Sequence, residues 1–157
     1  MSQAIDIRPA SPKDRTFIQQ LVPRFLEPGA PNGRDESQII HAILNEMSQF
    51  WRSGNGAEGF FIAEDWSGKP LGFILLTSEI DFFTQEKHGH IADLAVVSTA
   101  EGQGIGQALM QFAETWAKSQ NYPFLTLNAF PQNQRGRSFY TQLGYQEDLI
   151  KYLKRLN

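Results

Sequence analysis

The chain has 157 residues, 41% hydrophobic and 20% charged with 12 phenylalanines, which fits one globular domain with a real core. A net charge of −3 and a pI near 5.6 oppose nucleic-acid binding through a broad positive field. Zero cysteines exclude disulfides, thiolate metal sites and a cysteine nucleophile. The absence of a bilayer-length apolar run or a signal-peptide layout predicts a cytoplasmic protein with no membrane partner.

In chain order, Ala4–Arg8 alternates apolar and polar residues as a half-buried strand does. Ser11, Pro12 and Asp14 supply a cap, a first-turn proline and a first-turn acid for a helix. Its apolar face is Phe17, Ile18, Leu21, Val22 and Phe25, and Pro23 should kink or end it. Glu27–Gly33 is a loop by composition. A second helix is predicted from about Asp35, with Ile39, Ile40, Ile43, Met47, Phe50 and Trp51 as a core-facing stripe, ending at Ser53–Gly56. Gly59–Glu64 and Leu71–Thr77 read as a hairpin around the turn Asp65–Pro70. Ser78–Lys87 fits either a strand continuation or a loop over the active face.

The stretch His88–Gly106 organises the rest. Ile91, Leu94, Ala95, Val96 and Val97 have the near-continuous apolar character of a buried strand, and Leu109, Phe112 and Trp116 then fall at helical spacing. Gly102, Gly104 and Gly106 therefore stand where a strand meets a helix N-terminus, whose first N–H groups lack intrahelical partners and whose dipole is positive. Without a Cβ at Gly102 and Gly104 an anion can approach the backbone, so the motif reads as a phosphate cradle. It lacks the Gly-Lys-Ser/Thr ending of a P-loop and the third-glycine spacing of a dinucleotide fingerprint. Downstream, Pro123–Phe130 is predicted as a strand. Pro131–Asn133 leads into a helix carrying Phe139, Tyr140 and Leu143, with Gly144 as C-cap, and Tyr145–Leu156 should return as one or two strands.

The segment Glu101-Gly-Gln-Gly-Ile-Gly106 resembles the acetyl-coenzyme A signature Arg/Gln-x-x-Gly-x-Gly/Ala of the GCN5-related N-acetyltransferases. Asn133 to Tyr145 is similar to the same family's closing motif, Asn-x-x-Ala-x-x-Phe-Tyr-x-x-Leu-Gly-Phe. The chain departs from these patterns at Glu101, where the family has Arg or Gln, and at Gly136, where it has Ala. The resemblance implies a single domain over residues 1–157 of α/β (α+β) class. It also implies a mixed, mostly antiparallel sheet of six or seven strands with about four helices, in the order β-α-α-β-β-β-α-β-α-β-β.

It further implies acetyl transfer from acetyl-coenzyme A to a primary amine of a small molecule, peptide or protein. An alkylamine must lose a proton before it attacks, the intermediate carries an oxyanion, and the departing thiolate benefits from a proton. Tyr140 matches the family's general acid. Leu94, Ala95, Val96, Gly102, Gln103, Gly104, Ile105, Gly106, Asn133, Arg137 and Tyr140 match positions that hold the cofactor. Arg135 and Arg137 can equally be phosphate ligands or solvated surface residues, and Asn133 can equally be a helix cap.

Many relatives carry a glutamate base where this chain has Ala92. Strand alternation puts His90 on the face of Ala92 and Asp93 on the opposite face, so His90 is the candidate base or a structural histidine. Glu79 and Asp81 are alternative bases and candidate acceptor contacts. No metal is expected at His88-x-His90, because no cysteine or carboxylate stands at ligand spacing. The competing reading is a coenzyme A-binding sensor that has lost turnover, supported by Ala92 and Glu101. Either reading leaves a monomer or homodimer that binds no nucleic acid.

Overall fold

The computed structural model describes residues 4–53 and 58–157, with the side chains of residues 52 and 53 outside the description. Strand β1 spans Asp6–Pro9, and a 3-10 turn at Pro12–Asp14 leads into α1, Arg15–Leu21. As expected at Pro23, the α-helix stops and Val22–Leu26 tightens to a 3-10 segment. Helix α2 covers Glu36–Ser53, followed by β2 (Gly59–Glu64), β3 (Pro70–Ile80) and β4 (Lys87–Val96). Then come α3 (Ile105–Ser119), β5 (Leu125–Leu127) and α4 (Gln134–Gln142). Of the helix end predicted at Ser53–Gly56, Ser53 is the last residue described in α2 and residues 54–56 lie outside the described residues.

The sheet order is β1-β2-β3-β4-β5; the first three pairings are antiparallel and β4–β5 is parallel. One face packs on α3 through Ile74, Leu76, Ile91, Ile105, Leu109, Met110 and Ala113. The other packs on α1 and α2 through Ile18, Met47, Phe60, Ile62, Phe73 and Leu75, with Trp51 stacked on Phe60 at 4.5 Å. Ser78–Lys87 resolves as a hairpin. Strands β3 and β4 pair as far as Ile80 and Lys87, and Asp81 closes the turn by accepting from the Thr84 N–H and hydroxyl, both at 2.9 Å.

The expectation of six or seven strands is corrected to five, and the strand predicted over Pro123–Phe130 shortens to Leu125–Leu127. Residues 145–157 form no strand, and Leu149, Ile150, Tyr152 and Leu156 stay exposed. The physical reason is the edge: three residues of β5 offer too few backbone groups to seed a further ladder, so the alternating apolar residues of the tail have no strand to join.

Helix α4 ends in a Schellman motif. The Gly144 N–H donates to the Thr141 carbonyl and the Tyr145 N–H to the Tyr140 carbonyl, each at 3.0 Å, with Gly144 at φ +94°.

Candidate active site

The site begins with an irregularity in β4. Asp93 lies opposite Leu75 and Ile91 opposite Leu76, so Ala92 is an extra residue, a β-bulge. The bulge resets the alternation beyond it. Asp93 therefore joins the α2 side of the sheet, with Leu75 and beside Glu46, and not the opposite face that simple alternation predicts. The pairing with β5 stops at the same place: its ladder covers only Gly89–Ile91 against Leu125–Leu127. From Ala92 to Val96, including Leu94 and Ala95, β4 has no ladder partner on its β5 side among the described residues. The amides and carbonyls that point to that side are left out of the ladder and suit a ligand of peptide-like polarity, while the others pair with β3.

On the α2 side stand two histidines and three carboxylates. The buried His90 ring places Nδ1 2.7 Å from the Thr126 hydroxyl and Nε2 3.5 Å from a Glu79 oxygen. His88, stacked on Phe124 at 4.7 Å, shares the same hydroxyl at 3.0 Å and approaches Glu79 at 3.8 Å. Burial lowers the His90 pKa and neighbouring His88 adds to this, while Glu79 opposes it, so the ring is neutral at pH 7. Burial, with Glu46 nearby, pushes the Asp93 carboxyl up to about 8, and its Oδ2 is buried without a hydrogen-bond partner. Glu46 is raised as well, by burial and then by Glu79. Asp81, by contrast, has its carboxylate engaged in the hairpin turn and held below the usual range by the Thr84 N–H.

Tyr140 belongs to the other side, packed with Leu94, Val96 and Tyr145 against the α3 core. Burial raises its pKa, so the phenol keeps its proton. Asn133 is a helix cap: its Oδ1 accepts from the Gly136 N–H at 3.1 Å. Arg137 pairs with Glu147 at 2.8 Å and also donates to the Pro131 carbonyl.

The glycine turn has the geometry a phosphate needs. Gly102 and Gly104 sit at φ +77° and +84°, Gly104 caps α3, and nothing lies within 4 Å of where either Cβ would be. Ile105 is buried and fixes the first turn of α3, while the Gln103 side chain folds back towards the Thr99 carbonyl. Gly106 serves a different purpose, since a Cβ there would come within 3.3 Å of Phe139, where α3 meets α4. Open backbone N–H groups at a 15-residue helix N-terminus fit the diphosphate of coenzyme A. The acid in the signature is not aimed bare at this cradle: Glu101 is held by Arg24 from the 3-10 segment after α1 and by Arg135 of α4.

A model of the acetyltransferase (GNAT) family matches residues 24–145. The chain belongs to this family. An uncharacterized N-acetyltransferase of Bacillus subtilis, YhfO, is 29% identical over 128 residues, 72% of this chain and 85% of that protein. The catalytic subunit NAA10 of the N-terminal acetyltransferase A complex of Arabidopsis thaliana is 34% identical over 89 residues, 55% of this chain and 45% of that protein. Among solved structures, a GCN5-related N-acetyltransferase of Ralstonia eutropha superposes with a TM-score of 0.73 at 24% identity, covering 97% of this chain and 99% of that one. The family's fold thus brings His90 and Glu79 to one side of the opening in the sheet and Tyr140 to the other. Sequence reasoning missed Arg24 and Glu46, which carry no motif, and placed Asp93 on the wrong face. A bulge leaves no mark in one strand's own alternation.

Proposed function

We propose that the chain is an acetyl-coenzyme A-dependent N-acetyltransferase acting on a primary amine, with its acceptor arriving from the α2 side of the sheet. The observation that carries this reading is the opening in the sheet beyond Ala92, with differently tuned proton carriers on its two sides. Acetyl-coenzyme A would supply the activated acyl group. The N–H groups of Gly102, Gly104, Ile105 and Gly106 would hold its diphosphate, the Gln103 N–H being spent on the Ala100 carbonyl, and the β5-facing backbone groups of Leu94, Ala95 and Val96 its pantetheine arm. Neutral His90, directly or through water, accepts the proton of the incoming ammonium. Tyr140, kept protonated by burial, gives its proton to the departing thiolate.

Glu79, with Glu46 beyond it, favours a cationic acceptor. Asp93, protonated at neutral pH, becomes an acceptor of protons or of ammonium hydrogen bonds as it ionises near pH 8. The test is release of free thiol from acetyl-coenzyme A with a panel of amines, together with the Tyr140→Phe variant. Turnover with at least a tenfold loss in Tyr140→Phe, about 1.4 kcal/mol, supports the assignment. Tight coenzyme A binding with no turnover across the panel would replace it with the sensor reading.

A further inference from the structure

The family's signature opens on a residue that is cationic or neutral, whereas here it is an acid, and an acid beside a diphosphate site opposes binding. The chain surrounds that acid with cations drawn from two distant elements. Arg24 Nη2 donates to Glu101 Oε1, and Arg135 Nη1 donates to Oε2 at 2.9 Å. One carboxylate thus bridges two guanidiniums directly before Gly102. The two arginines differ in their surroundings. The Arg24 side chain is largely buried, with Nη1 enclosed and unpartnered, and it is anchored a second time by Glu27 at 3.4 Å. The Arg135 side chain is 74% exposed and has remaining donors that face solvent. Arg24 is therefore fixed in place, and Arg135 is available.

We propose that Glu101 is a bracket: Arg24 neutralises and pins it, and its second oxygen holds Arg135 at the mouth of the glycine turn as a ligand for the cofactor diphosphate. This rests on the acetyl-coenzyme A reading above and adds to it a side-chain cation that the signature position does not itself supply. Arg135 is the binding residue, while Glu101 and Arg24 are positioning residues. A guanidinium with one edge on a carboxylate still presents free N–H groups to a phosphate, and being held loses less rotamer freedom when the ligand arrives.

Calorimetric binding of coenzyme A to the free protein tests this without any turnover. Arg135→Ala, a surface change, should weaken binding about tenfold and flatten its salt dependence by about one counter-ion. The loss should be equal for dephospho-coenzyme A, which keeps the diphosphate and lacks the 3′-phosphate. Arg24→Gln should weaken binding in the native background by a similar factor, by leaving Arg135 as the one cation on Glu101 and so drawing it from the diphosphate. In the Glu101→Gln background the effect of Arg24→Gln should shrink below about twofold. Binding unaffected by Arg135→Ala overturns the proposal, as does a loss that disappears with dephospho-coenzyme A or an Arg24 effect that persists without the Glu101 charge. If the unaltered protein binds no coenzyme A, the underlying functional reading fails instead.

Discussion

His90 and Asp93 share one face of the sheet although three positions separate them, a spacing that a regular strand puts on opposite faces. Ala92, the extra residue opposite Leu75 and Leu76, makes the difference. One consequence concerns stability. The folded Asp93 carboxyl titrates at about 8, whereas the unfolded one titrates near 4, so between those values the native state binds a proton that the unfolded state does not. Stability contributed by the protonated form is complete below about pH 4 and is lost as pH rises towards and through 8. Asp93→Asn, which keeps the shape and cannot ionise, should melt above the native protein at pH 8, with the gap closing towards pH 5. Equal melting temperatures at both pH values would show that Asp93 is not enclosed as described.

The neutral state of His90 gives a kinetic expectation. Because burial lowers its pKa, the acid limb of kcat/KM should have its midpoint below the ordinary histidine value of about 6.5. Glu79, whose charge opposes the lowering, sets how far. Glu79→Gln should move the limb to still lower pH, and His90→Gln should erase it with at least a tenfold loss of rate. A limb above 6.5, or one that survives His90→Gln, assigns the proton to another group.

Much of this was legible in local chemistry. Pro23 announced the end of α1, and the glycines before Ile105 announced the turn into α3, because each acts on the backbone within a few residues. What escaped depends on distant neighbours. Arg24 and Glu101 are 77 positions apart and follow no period. The apolar residues Leu149, Ile150, Tyr152 and Leu153 state what a strand would bury, but the existence of an edge to receive them depends on β5, which is three residues long. The bulge belongs to the register between β3 and β4, and no single strand encodes a register.

Gly104 separates the cradle from the fold. At φ +84°, a β-branched side chain is strained and stands where a ligand would approach the backbone. Gly104→Val should raise the coenzyme A dissociation constant by at least tenfold while the far-ultraviolet circular dichroism stays native, since the cost of about 1–2 kcal/mol falls at the helix cap and not in the core. Unchanged affinity in this variant would place the diphosphate elsewhere.

Gly136 stands where the family carries alanine, and here it lies directly against the Asn133 cap. A Cβ there would come within 2.5 Å of the Asn133 amide, whose Oδ1 accepts from the Gly136 N–H. Alanine in a helix is ordinarily better than glycine by about 1 kcal/mol, and an asparagine cap contributes about the same. Gly136→Ala should therefore gain nothing in the native background, because the new methyl displaces the cap that it would accompany. In Asn133→Ala, where the cap is already gone, the same change should stabilise by up to about 1 kcal/mol. Chemical denaturation of the four proteins of this cycle measures the coupling directly. Equal effects of Gly136→Ala in the two backgrounds would mean that the glycine is retained for a reason other than room for Asn133.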